Sequence, residues 1–181
     1  MKVLSEITLE GDYLDEAVTL HMRALPDDFL TLLGEKALRI YYTELHQLFY
    51  LVYTFRIEDE LDFGYVHFGF GQKKSLFLYF IRKLPLRLLL FSIIHPLYAI
   101  ELFMYSNHNK FLSNELLYIY VNRHGKRFGS DLLDFSFSKL PKNELFVKTL
   151  SETPENIKFY EKNGFKIFDK MLGRTILRKD L

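Results

Sequence analysis

Residues 121–130 read VNRHGKRFGS, with Gly125 and Gly129 set among Arg123, Lys126 and Arg127. An apolar run, LLYIYV, precedes the glycines, and an apolar helical pattern comes after them. A strand that feeds a glycine loop into a helix start is suited to binding an anion. The first helical N–H groups lack internal partners, and the helix dipole favours negative charge. Glycine lets the backbone approach a phosphate closely, and the three cations add mobile positive groups. A diphosphate is the ligand this chemistry suits. A plain strand-to-helix turn with solvated basic residues is the other reading.

A second stretch, residues 152–168, reads ETPENIKFYEKNGFKIF. It sets Asn156 and Tyr160 one turn apart on a helix face and Gly164 just past the helix end. Other chemistries find little support. His21, His46, His67, His95 and His108 are scattered, without metal-ligand spacing such as His-x-x-x-His. There is no Gly-x-Ser-x-Gly elbow and no Gly-Lys-Ser/Thr loop. The absence of cysteine removes a disulfide framework, a thiolate nucleophile and a thiolate metal site.

The elements that must position these residues follow from apolar spacing. Lys2–Leu9 predicts a strand and Asp12–Ala24 a helix. Pro26-Asp27-Asp28 opens a second helix that runs to about Gln47. Phe49–Arg56 and Phe63–Phe70 predict strands joined by a turn at Glu58-Asp59-Glu60. Helical material runs from Lys73 to about Tyr105, broken at Pro85 and Pro96. Asn114–Val121 predicts a strand, Gly125–Lys139 a helix, Leu145–Leu150 a strand and Thr153–Asn163 a short helix. A hairpin of Phe165–Phe168 and Arg174–Arg178 ends the chain. The expected class is α/β (α+β), a mixed sheet with helices on its faces.

The 181 residues suffice for one well-buried domain, and no repeat or linker divides them. The expectation is a single domain over residues 1–181, with an apolar helical insert at about 72–110. A formal charge of +1 argues against nucleic acid. The start of the chain, MKVLSEITLEGDYLDE, has no apolar signal core. The longest uncharged run, Leu88–Ile100, spans 13 residues, short of the roughly 20 a crossing helix needs. With no cysteine, the expected location is the cytoplasm.

Taken together, the two stretches resemble the GNAT N-acetyltransferase superfamily. Its members carry a strand, then a loop of the form Arg/Gln-x-x-Gly-x-Gly/Ala, then a helix. Further along come an Asn and a Phe-Tyr-x-x-x-Gly-Phe run. Residues 124–129, HGKRFG, occupy the loop, and Asn156, Phe159, Tyr160, Gly164 and Phe165 fit the second motif without a gap. The strand ELLYIYV resembles the family's fourth strand, and the early run LHMRALPDDFLTLLGEKALRIYY its N-terminal helices. Two positions depart. His124 stands in place of Arg or Gln, and Arg127 in place of Gly, which requires its side chain to point outward.

The resemblance implies a mostly antiparallel sheet with two splayed parallel strands, Asn114–Val121 and Leu145–Leu150, and acetyl-CoA as co-substrate. The pantetheine arm would lie between those strands. The diphosphate would sit on the loop and helix start: His124, Gly125, Lys126, Arg127, Phe128, Gly129 and Ser130. Backbone N–H groups at Ile119, Tyr120 and Val121 would stabilise the oxyanion. Tyr160 would protonate the leaving thiolate, since a phenol's ordinary pKa of ~10 is close to a thiol's. Asn156 would hydrogen-bond the pantetheine or cap its helix, Phe159 would line the pantetheine, and Glu115 would either act as base through water or stand as a rim carboxylate in a salt bridge. No metal is implied.

The implied acceptor is a small amine, an amino sugar being one reading. Tyr13, Phe29, Tyr41, Tyr42, Tyr118 and Tyr120 would either wall its site or pack in the core. The insert, KKSLFLYFIRKLPLRLLLFSIIHPLYAIELFMY, has several readings. It covers the sheet, forms a homodimer contact, closes over the acceptor, or lies on a membrane surface. The ordinary packing role is the leading expectation. Two functions of other classes stay open: a CoA-binding regulatory domain without catalysis, and a membrane-associated interaction protein.

Overall fold

The structure is a computed structural model. It describes residues 2–60, 62–72, 74–97, 99–100, 114–122, 127–171 and 173–181. The chain divides into two compact units. One comprises Met1–Ile7, Tyr53–Gly69 and Asn114–Leu181, the other Thr8–Val52 and Phe70–Ser113.

The strands are β1 (Val3–Glu6), β2 (Phe49–Asp59), β3 (Asp62–Gln72), β4 (Asn114–Val121), β5 (Glu144–Leu150), β6 (Lys166–Met171) and β7 (Arg174–Asp180). They form one seven-stranded sheet in the order β1-β2-β3-β4-β5-β7-β6. β4 and β5 are parallel, whereas β1–β2, β5–β7 and β6–β7 are antiparallel. This is the mixed, mostly antiparallel sheet that the resemblance implies.

In the first unit, helix α7 (Phe128–Phe137) packs on β4, and helix α8 (Pro154–Lys162) packs on β5 and β6. Period-two alternation puts Phe55 and Ile57 on one face of β2, and both are fully buried. Phe55 meets Phe135 of α7 edge-on at 5.8 Å between ring centroids. That geometry suits the ring quadrupoles. Phe137 of α7 packs beside Phe165, which is also buried.

The second unit carries α1 (Gly11–Ala24), α2 (Phe29–Leu33), α3 (Glu35–Thr43), α4 (Leu45–Leu48), α5 (Leu76–Lys83) and α6 (Pro85–Ile94). The single helix expected over Pro26–Gln47 is broken into three. Gly34 adopts φ 92°, which ends α2 and starts α3. Such a left-handed residue cannot continue a right-handed helix. The Asp28 side chain caps α2 by accepting from the Leu30 amide at 3.0 Å. Pro85 sits at the first turn of α6, where its missing N–H costs nothing.

Two other boundaries move. β2 and β3 run past the expected strands to Asp59 and from Asp62, so the turn falls on Glu60 at φ 55°. Helix α7 begins at Phe128 rather than Gly125. His124, Gly125 and Lys126 lie outside the described residues, as does the end of the helical material expected to reach Tyr105.

Candidate functional site

The site begins with a difference between the two edges of β5. Toward β7 the ladder has seven rungs, from Glu144↔Asp180 to Leu150↔Arg174. Toward β4 it has two among the described residues, Glu115↔Phe146 and Leu116↔Val147. Both strands continue past those rungs, β4 to Val121 and β5 to Leu150. The facing edges therefore part beyond Leu116 and Val147. A parted parallel pair can take an extended ligand by backbone hydrogen bonding, as an added strand does.

Helix α7 starts at the far end of β4. Its cap residue, Arg127, is left-handed at φ 60° and ψ 10°. The Arg127 carbonyl accepts from the Asp131 amide at 2.9 Å, the first helical bond. The amides of Phe128, Gly129 and Ser130 lie in the first turn of α7, where helical N–H groups find no i−4 acceptor within their own helix. A left-handed non-glycine residue carries a penalty of about 1–2 kcal/mol. Arg127 thus keeps the backbone a glycine would have taken and holds an exposed guanidinium there. The Phe128 ring is buried, with the Lys2 ammonium 4.9 Å from its centre. Only the backbone of Phe128 is on offer to a ligand.

Gly129 ties three elements together. A Cβ built at this position would lie 3.1 Å and 3.2 Å from two atoms of the Phe159 ring and 3.9 Å from Ile119 Cδ1. A Cβ here would press on the ring that α8 sets against the start of α7, and that ring would have to give by a few tenths of an ångström. This packing reason is one the sequence alone does not reveal.

Helix α8 supplies the polar groups nearby. Asn156 is exposed, and its amide reaches toward Thr149 Oγ1 at the end of β5 at 3.4 Å. Tyr160 is buried between Phe159 and Phe165, both edge-on, at 5.3 Å and 5.6 Å between centroids. Burial pushes its phenol above the ordinary tyrosine value, which favours the protonated form. Gly164 at φ 86° ends the helix, and the Phe165 amide donates to the Tyr160 carbonyl at 3.1 Å.

Two residues take places that spacing did not disclose. Glu115 sits in the paired half of β4, not the open half, and is ion-paired with Lys148 Nζ at 2.9 Å. Tyr120 turns its hydroxyl to His67 Nε2 at 2.8 Å, while Thr54 Oγ1 lies 3.0 Å from His67 Nδ1. This buried chain of Thr54, His67 and Tyr120 runs across β2, β3 and β4. Sequence reading treats His67 as one more scattered histidine. Its signal was the alternation of Tyr65 and His67 with Val66 and Phe68. In the second unit Phe29, Tyr41 and Tyr42 are core residues, not an exposed wall. Among the described residues no group of three or more His, Asp or Glu side chains is placed to hold a metal ion.

No family model matches the chain, and no curated protein matches its sequence. Solved structures do match along its whole length. The Campylobacter jejuni N-acetyltransferase PseH in complex with acetyl coenzyme A is 16% identical with TM-score 0.54, covering 99% of each chain. PaiA N-acetyltransferase of Thermoplasma acidophilum in complex with coenzyme A is 14% identical with TM-score 0.58, again over 99% of each chain. A GNAT-family acetyltransferase of Streptococcus pneumoniae is 13% identical with TM-score 0.55, over 100% of each. The chain has the GNAT fold. At these identities the likeness carries the GNAT architecture and not a substrate. The parallel pair β4 and β5, with α7 starting beyond the end of β4, is the arrangement that the sequence resemblance implies.

Proposed function

We propose that this chain is an acetyl-CoA-dependent N-acetyltransferase acting on a small amine. One observation carries the reading: the two-rung β4–β5 pair opens beside the first turn of α7 and the helix that bears Tyr160. The pantetheine amides would pair with the open edge of β4, and the diphosphate would meet the first-turn amides of α7 with Arg127 beside them. Residues 124–126 are expected to extend that cradle.

The amine nitrogen attacks the thioester carbonyl, the C–N bond forms and the C–S bond breaks. Between ammonium and amide the nitrogen gives up two protons; the thiolate takes one and solvent the other. Tyr160 Oη donates to the thiolate. N–H groups at Ile119–Val121 hold the oxyanion. Two groups are candidates to take the ammonium proton. Glu115 would have to leave Lys148 to do so, while Tyr120 is already hydrogen-bonded to His67, which could receive its proton. The acceptor class we favour is an amino sugar. This reading includes a cytoplasmic location, which acetyl-CoA use and the absence of cysteine support, and no nucleic-acid partner, which the formal charge of +1 supports.

The test is ligand linkage, then turnover. Acetyl-CoA at a hundredfold excess over its dissociation constant should add about 2.7 kcal/mol of stability, or roughly 5–10 °C in Tm for a chain of this size. Free thiol should then appear when amino sugars or short diamines are supplied. No shift with acetyl-CoA would refute the reading. A shift without thiol release from any amine would make the chain a CoA-binding regulator.

A further inference from the structure

The second unit carries a feature that acetyl transfer does not use. Helix α6 is apolar on two faces. It buries Leu88 and Phe91, yet Leu86, Leu89, Leu90, Ile93 and Ile94 are exposed at 75%, 58%, 58%, 68% and 68%. Their spacing of i, i+3, i+4, i+7 and i+8 makes one continuous outward stripe. Leu78 and Ile81 of α5 are exposed as well, at 57% and 40%, and Leu97 beyond α6 at 80%. Monomeric soluble proteins seldom present so many contiguous aliphatic side chains to water.

The charges on the same segment have one sign. From Lys73 to Ile100 the sequence contains five Lys or Arg residues and no Asp or Glu. Lys83 is partly spent, since it shares Glu44 with the Tyr79 hydroxyl. Arg87 donates to the neutral carbonyl of Leu33 and keeps its charge, and Lys74 and Arg82 are exposed. A second copy placed face to face would bring like charges together with no acid on these helices to meet them. The exposed set is Leu and Ile, whereas protein interfaces concentrate aromatic, Met and Arg anchors. No described helix is long and apolar enough to cross a membrane. An apolar stripe flanked by cations on short helices is the composition of a segment that lies in a bilayer interface.

We propose that α5 and α6 rest on the surface of an anionic lipid bilayer. The aliphatic stripe enters the acyl boundary, and Lys74, Arg82 and Arg87 meet the headgroups. The surface is independent of acetyl-CoA and would stand if the acetyltransferase reading fell.

Vesicle flotation of the full chain tests it. The protein should float with phosphatidylcholine vesicles that contain phosphatidylserine, less with phosphatidylcholine alone, and less again as salt is raised. Arg82→Ala should weaken binding to the anionic vesicles about fivefold and leave binding to neutral ones unchanged. Leu89→Glu with Ile93→Glu should reduce flotation at least ~10-fold. Both side chains are exposed, so thermal unfolding should report an intact fold. No flotation with anionic vesicles would overturn the proposal. So would flotation that survives the double substitution, or light scattering that shows a dimer, dissociated by the same substitutions, in a chain that ignores vesicles.

Discussion

The two edges of β5 are built by the same seven residues and behave differently. Against β7 every residue from Glu144 to Leu150 has a partner. Against β4 pairing stops after Val147. The side chains do not explain the contrast, since Phe146 and Val147 are buried like Leu177 across the other ladder. Past the end of β4 lie a left-handed Arg127 and a helix start whose Gly129 meets the ring of Phe159. One edge is a structural seam and the other an opening, and of the residues proposed for chemistry Glu115 lies at the paired end of that second edge.

The largest effect should come from removing the proposed acid. Tyr160→Phe is expected to lower kcat by ~10²–10³ while acetyl-CoA affinity by calorimetry stays within about twofold. An unchanged kcat would take the chemistry away from the open edge. Gly129→Val should abolish measurable acetyl-CoA binding and lower thermal stability by about 1–3 kcal/mol, because the added carbons meet the Phe159 ring. Normal affinity in a stable variant would disprove the crowding.

Hydrogen exchange gives a more direct reading of the two edges. Acetyl-CoA should slow exchange at the gap-facing amides of Leu117–Val121 by ~10-fold or more, and leave those of β5 bonded to β7 unchanged. Equal protection on both edges would erase the distinction. Arg127→Gly should split its effects. Relief of the left-handed penalty, less the added chain entropy of glycine, should gain about 0.5 kcal/mol, while acetyl-CoA binding weakens a few-fold for want of the cation. The smallest effect on turnover is expected at the closed end. Glu115→Gln should cost about 1 kcal/mol of stability through loss of its bond to Lys148 and change kcat less than about threefold. A hundredfold fall would make Glu115 the base.

How much of this was legible beforehand depends on whether a residue's neighbours lie near it in sequence. The order of strands and helices, the β4–α7–β5–α8 core and the end of α8 at Gly164 all follow from local periodicity and helix-stop chemistry. The break at Gly34 was missed because one glycine in an amphipathic run costs only about 1 kcal/mol if it stays helical, so composition does not say which way it goes. Glu115 illustrates the limit within the site. Its place on β4 was readable, but Lys148, 33 residues on, was not. The partners of His67, from Thr54 and Tyr120, come from strands on either side and depend on register. The outward stripe of α6 lay in the sequence as an apolar run. Which of its two faces would be covered is a tertiary fact.

The contact between Gly129 and Phe159 has a consequence for descent. The two positions draw on one shared volume, although they lie on different helices. A lineage that enlarges the first must let the second give way by a few tenths of an ångström or shrink. Relatives of this chain should therefore show Ala or Ser at the former more often where Leu, Val or a smaller residue has replaced the ring at the latter, so the two sites would drift as a pair.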